Sequence, residues 1–297
     1  MSTQNKPIDI VPHLFERSAP QLAKLVGLAD LDPPQIAAAA EGTHPVPATL
    51  DRLEIGRAAQ RVDRTALRRA GVVDLEQGRS RVFEEFRIVQ DQVVRLLSAE
   101  SRDRPAAARL VLVTSAAPGE GKSFVSANLA ASLATCGRRD VLLVDVDPKW
   151  NSLSHSLGLS EAPGLLDAAL SPGPALTIKV FDTATDRLSV LPVGGHSSER
   201  SVMSATGVAP NLLRRLCRAL PGHIVVLDAP PCLASSDASM LATLADQVVM
   251  VVAATQTQQG DLEAALDLVQ ACPHIALLLN KIRSPSGSGF GRYGDYK

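Results

Sequence analysis

Tyrosine is nearly absent from this chain. Of 297 residues only two are tyrosine, and both, Tyr293 and Tyr296, stand in the last stretch, SGSGFGRYGDYK, residues 286 to 297. Aromatic residues make up 3% of the chain in all, so its interior has to be built from aliphatic side chains. Charge of one sign is missing too: 30 basic residues stand against 31 acidic ones, and a net charge of −1 provides no global field toward nucleic acid or anionic lipid. No apolar run approaches the ~18 residues a helix needs to cross a bilayer. The start, MSTQNKPIDIVPHLFERSAP, lacks the charged-then-apolar pattern of a secretory signal. Any membrane association is therefore expected through a partner. The four cysteines, Cys136, Cys217, Cys232 and Cys272, form no CxxC pair, and each sits in an apolar context that suits a small buried hydrophobe in a reducing cytoplasm. The six histidines, among them His155, His196 and His223, show no metal-ligand spacing, which argues against a zinc site.

What is present falls into three zones. Residues 1–76 read as an N-terminal extension: a short amphipathic helix over PHLFERSAPQLAKLVGL, an Ala/Pro linker, LDPPQIAAAAEGTHPVPATL, and a charged segment, DRLEIGRAAQRVDRTALRRAGVVDLEQGRSR, taken as a solvated helical face. Residues 77–284 carry six continuous aliphatic runs: RLVLVTS, DVLLVDVD, LSVLPVG, HIVVLDAP, QVVMVVAAT and IALLLN. Runs of this kind are strands covered on both faces. Helical patterns such as KSFVSANLAASLATCG, NLLRRLCRAL and QGDLEAALDLVQAC lie between them. The alternation predicts an α/β fold, a mostly parallel twisted sheet flanked by helices. Residues 285–297 are rich in glycine and serine and read as a flexible tail, in which two solvated tyrosines need no function by themselves.

Three motifs carry chemistry, and each stands at the carboxyl end of a predicted strand. VTSAAPGEGKSF places Ala117, Pro118, Gly119, Glu120, Gly121, Lys122, Ser123 and Phe124 between a strand and a helix, as a phosphate-binding loop. There the glycines let backbone N–H groups close on phosphate oxygens, Lys122 reaches the β and γ phosphates, and the Ser123 hydroxyl can ligate Mg²⁺. The usual first glycine is Ala116. VLLVDVDPKW ends the next strand with Asp145 and Asp147. Spaced by two, these carboxylates point the same way, one to hold or tune Mg²⁺ and the other to accept a proton; a turn with a helix cap is the blander reading. HIVVLDAPP supplies Asp228, the expected Walker B group toward Mg²⁺.

With SSDASMLATLADQVVMVVAATQT and LLLNK following in order, residues 77–297 resemble the bacterial tyrosine autokinases of exopolysaccharide synthesis, nearest to those associated with exosortase/PEP-CTERM systems. The resemblance implies a P-loop NTPase fold related to the division-site and partitioning ATPases, with ATP and Mg²⁺ as cofactors and tyrosine as acceptor. Lys122, Asp145 and Asp147 become the catalytic group, Asp145 as base toward the tyrosyl hydroxyl or as Mg²⁺ organiser. Ser123, Asp145 and Asp228 become the metal-side ligands, and Tyr293 and Tyr296 the phosphoacceptors. It further implies a homo-oligomer formed through an ExxRxxR helix, matched here by Glu84 and Arg87. A membrane protein of the chain-length-control type would act as activator, holding the kinase in the cytoplasm beside the inner membrane. The chain departs from the family at Lys149, where the second motif usually has Arg, at Gln90, where the helix has its second Arg, and in having two tail tyrosines.

The alternative is a non-kinase P-loop ATPase or scaffold of the partitioning or division-site type. Those ATPases carry a signature lysine five residues before the loop lysine, where this chain has Ala117. A GTPase would need Asp where NKIR has Arg283, so ATP is the expected nucleotide.

Overall fold

The computed structural model describes residues 15–18, 52–73, 80–99, 107–149, 151–170, 175–194 and 208–282. The expected linker (31–50) and the tail with Tyr293 and Tyr296 lie outside the described residues, as do Arg283 and His196.

The six aliphatic runs form six parallel strands: β3 (Arg109–Ser115), β4 (Val141–Asp145), β6 (Leu188–Leu191), β7 (Ile224–Asp228), β8 (Gln247–Ala253) and β9 (His274–Asn280). Three further strands complete a nine-stranded sheet: β1 (Phe15–Ser18), β2 (Arg52–Arg57) and β5 (Ala175–Asp182), in the order β1-β9-β8-β3-β7-β4-β6-β5-β2. β1 runs antiparallel to β9, and β5 antiparallel to β6 with β2 parallel beside it.

These added strands have a different texture. Along β5, Leu176, Ile178 and Val180 are buried while Thr177 and Lys179 are exposed, a period of two rather than an unbroken apolar run. Of the helix expected over PHLFERSAPQLAKLVGL, Phe15–Ser18 instead form β1, with Phe15 opposite Leu277 and Ser18 opposite His274. A helix cut short by Pro20 is marginal, and the open hydrogen-bonding edge of β9 offers those four residues a partner. The charged segment is likewise a strand, β2, followed by a short helix, α1 (Arg64–Arg69). Asp63 caps α1 by accepting the Ala66 N–H at 2.7 Å, and Val62, Leu67 and Val72 are buried in the core of the main sheet.

The remaining helices are α2 (Arg81–Ala99), α3 (Lys122–Thr135), α4 (Leu153–Ser156), α5 (Leu165–Leu170), α6 (Val208–Ala219), α7 (Asp237–Ala242) and α8 (Gln259–Val269). They cover both faces of the sheet. Val111, Val113, Leu143, Val226 and Val249 point to the face carrying α1 to α4; Leu110, Leu112, Leu142, Leu227 and Met250 point to the face carrying α5 to α8. Burying one such leucine fully is worth roughly 1.5–3 kcal/mol. Helix α3 is buried on almost every side from Val125 to Ala134, which its small Ala and Ser residues permit between the sheet and α2. Of the cysteines, Cys232 and Cys272 are buried and Cys217 is half-buried, as expected, but Cys136 is exposed because α3 ends there and the chain turns outward.

Candidate functional site

The strand order builds the site. β7 lies between β3 and β4, so the strand ends carrying the three motifs stand side by side. In register, Val113 of β3 faces Asp228 of β7, and Asp228 faces Asp145 of β4. The phosphate loop leaves β3 two residues further on, and α3 opens at Lys122, so one sheet edge collects every motif predicted to bind nucleotide.

Lys122 Nζ pairs with Asp147 Oδ2 at 2.7 Å, both side chains largely withdrawn from water. Burial works against the charge on Lys122, but Asp228, Asp147 and Asp145 outweigh it and hold the ammonium above the usual lysine range. Asp145 is fully buried and well anchored. Its Oδ2 accepts the Ser154 N–H at 2.7 Å and the Ser154 hydroxyl at 2.6 Å, and its Oδ1 accepts the Asp147 N–H at 3.1 Å. Burial still pushes its pKa up against those hydrogen bonds.

Asp228 differs. Burial pushes its carboxyl up to about 7, with Lys122 pulling down and Asp145 pushing further up. The Ser123 hydroxyl is near enough to lower that value, yet neither Asp228 oxygen has a hydrogen-bond partner of good geometry. A buried carboxylate with both oxygens unpartnered is an acceptor waiting for a cation. Among the described residues no three acidic, His or Cys side chains close on a single point as a ready metal cage. Mg²⁺ does not need such a cage, being held by one or two carboxylates with water and phosphate oxygens completing its shell. Asp228 with the Ser123 hydroxyl fits such an ion, and Asp145 stands in the next strand.

The loop itself is tightly determined. Gly119 and Gly121 have φ of +83° and +97°, the left-handed region open to glycine. At Gly121 a Cβ would also come within 2.2 Å of Asn280 Nδ2. Glu120, buried, uses its carboxylate inside the loop, accepting the Ala117 N–H at 3.0 Å and the Thr257 hydroxyl. Pro118 and Gly119 are exposed at its mouth. Phe124 turns its ring inward, edge-on to Phe86 with centroids 5.8 Å apart. Gly121→Ala is therefore expected to disrupt the loop from two directions, lowering the Tm and abolishing the thermal shift on adding Mg-ATP; an unchanged shift would show that the loop tolerates a side chain there.

The other expected residues lie apart from this cluster. Glu84 and Arg87 are on α2 and pair with one another, Nη1 to Oε2 at 3.1 Å. Gln90 is buried, with its Nε2 donating to Asp91 Oδ1 at 2.9 Å. Lys149 is exposed, its backbone N–H toward Asp147 Oδ1 at 3.4 Å. Residues not anticipated are Ser154, which orients Asp145, and Thr257 and Asn280, which brace the loop. The Asn-Lys pair ending the LLLNK strand was visible in sequence, but only the fold brings it to the loop.

The family described as the CobQ/CobB/MinD/ParA nucleotide binding domain matches residues 111–288, more than half of the chain, and the chain belongs to it. Within that class several relatives are named tyrosine-protein kinases, as the motif order suggested. Tyrosine-protein kinase YwqD of Bacillus subtilis is 27% identical over 238 residues, spanning 80% of this chain and 96% of that protein. A putative tyrosine-protein kinase, EpsB, of Ralstonia nicotianae is 34% identical over 193 residues, 62% of this chain, and the succinoglycan biosynthesis transport protein ExoP of Rhizobium meliloti is 30% identical over 247 residues, 79% of this chain. The chain spans only 25% of that EpsB and 29% of ExoP. The solved VpsO kinase domain superposes with a TM-score of 0.53 at 30% identity, covering 68% of this chain and 96% of that domain. Among the described residues no helix is long and apolar enough to cross a membrane.

Proposed function

We propose that this protein is an ATP-dependent protein-tyrosine kinase that phosphorylates tyrosines of its own carboxyl-terminal segment, Tyr293 and Tyr296, and so regulates the synthesis, polymerisation or export of an exopolysaccharide. The observation that carries this reading is the row formed by Lys122, Asp147, Asp145 and Asp228 at one sheet edge, in a chain whose relatives bear kinase names. The ExoP name supports the link to polysaccharide.

In the reaction the tyrosyl oxygen attacks the γ-phosphorus of ATP in line. The new Oη–P bond forms as the bond to the β,γ-bridging oxygen breaks, and ADP departs with that electron pair. Lys122 spreads its charge over the phosphates, which requires it to share or leave Asp147. Asp145, held in place by Ser154 and made more basic by burial, takes the phenolic proton. Mg²⁺ at Asp228 and Ser123 would supply further neutralisation of phosphate charge. The active form is a homo-oligomer assembled through Glu84 and Arg87, and its activator is a membrane protein of the chain-length-control type that holds it at the cytoplasmic face.

The double change Tyr293→Phe with Tyr296→Phe is expected to remove phosphotyrosine from the chain and leave ATP binding intact. The chain has no other tyrosine, so anti-phosphotyrosine label that survives at wild-type level in the reaction would lie on a separate protein and replace the chain's own tail as the acceptor.

A further inference from the structure

The phosphate loop is held from outside as well as from within. For the N–H groups of residues 119–123 to face phosphate, the intervening carbonyls must turn away from it, and there they need donors of their own. The end of β9 provides them. Asn280 Nδ2 donates to the Glu120 carbonyl at 2.9 Å, and Lys281 Nζ donates to the Gly119 carbonyl at 2.6 Å. Lys281 Nζ also lies 3.3 Å from Gln256 Oε1, in the turn that follows β8. In that same turn Thr257 donates its hydroxyl to Glu120 and accepts the Ala253 N–H at 2.8 Å. The ends of β8 and β9 thus form a collar around the loop.

Two further features show that the contact is built in. Lys281 has φ of +58°, a conformation that a residue with a Cβ adopts only where its surroundings impose it. Gly121, by lacking a Cβ, leaves the space that the Asn280 amide occupies.

We propose that Asn280 and Lys281 are positioning residues of the nucleotide site. They fix the peptide planes of Gly119 and Glu120 so that the loop is shaped for phosphate before nucleotide arrives, and Lys281 adds a positive charge at the loop's exposed mouth. The inference rests on the loop being the nucleotide site, and it makes affinity for ATP depend on the strand that leads toward the tail.

The test is the affinity of the purified full chain for a fluorescent ATP analogue with Mg²⁺. Asn280→Ala is expected to raise Kd roughly tenfold, the loss of a hydrogen bond to a loop carbonyl, and Lys281→Met roughly threefold. Lys281→Arg, which keeps a donor and the charge, should recover most of the loss, and the KM for ATP should rise in both weakened variants with kcat little changed. Lys281 is exposed, so Lys281→Met keeps its fold even if Asn280→Ala does not. A Kd within twofold of wild type for Lys281→Met and for folded Asn280→Ala overturns the proposal. Wild type that fails to bind the analogue overturns both this inference and the proposed function. Wild type that binds but makes no phosphotyrosine overturns only the kinase reading, and the collar is then judged on the variants' Kd.

Discussion

Lys122→Ala is expected to cut phosphotyrosine formation by roughly 10³-fold, the scale of losing a preorganised charge aimed at the transition state. It is also expected to weaken the fold. Lys122 is the cation against which Asp147 is paired at 2.7 Å, and it offsets the fields of Asp145 and Asp228 on the neighbouring strands. Removing one partner of a buried pair leaves an uncompensated charge, which costs about 3–5 kcal/mol. Asp145 and Asp228, already pushed up by burial, avoid part of that penalty by binding protons, so the stability gap between variant and wild type should narrow as pH falls from 8 to 5. Denaturant unfolding at the two pH values, beside a phosphotyrosine blot, measures both effects. A variant that is inactive yet equally stable at pH 8 would mean that water reaches this cluster and screens it.

Asp228→Asn is expected to abolish phosphorylation and yet to stabilise the nucleotide-free protein above neutral pH. The Asp228 pKa is about 7 in the folded chain against an ordinary value of 3.8. As pH rises, the unfolded state releases this proton first, so the native state loses stability between about pH 4 and 7 and stays low above that range. A rise from 3.8 to about 7 corresponds to roughly 4 kcal/mol as an upper figure. The replacement amide has no partner either, which takes back about 1–3 kcal/mol. The net gain at pH 8 is then roughly 1–3 kcal/mol. The slope is the cleaner readout, because the amide's cost does not vary with pH. The stability difference between Asn variant and wild type should grow from pH 4 to 7 and then level off. A parallel pair of curves would show that Asp228 ionises normally. Under the proposed function, an acid group that lowers the stability of the nucleotide-free protein is a recognisable trade of stability for function.

The place of the candidate site in the fold was legible because a phosphate-loop pattern is local in sequence. Gly119 and Gly121 lie between a strand and a helix that opens with Lys122 and Ser123, and local order alone defines that loop. The six central strands were legible for a related reason: strands covered on both faces must be apolar throughout, as Leu110 to Val113 and Val225 to Leu227 are. β5 and β2, alternating and nearer the sheet's margin, carried a weaker pattern, and β1 follows from an open edge of β9 rather than from its own four residues. The bracing of the site was the least legible part. Ser154 lies nine residues after Asp145, Thr257 lies 137 after Glu120, and Asn280 lies 160 after it. Contacts over such separations have no local signature. Gln90 shows the limit from the other side. It stands where the resembling family's helix has its second Arg, and the structure buries it beside Asp91, an environment the motif position alone does not indicate.

The proposed function turns on phosphate transfer to tyrosine by the cluster at the sheet edge. Its most direct test is to incubate the purified full chain with ATP and Mg²⁺, with and without the cytoplasmic segment of a chain-length-control membrane protein, and map modified residues by mass spectrometry. Phosphate on Tyr293 and Tyr296, absent from Lys122→Ala, is the predicted result. ATP bound or hydrolysed with no phosphotyrosine anywhere on the chain, in either condition, would contradict it and move the protein to the non-kinase ATPases of its family.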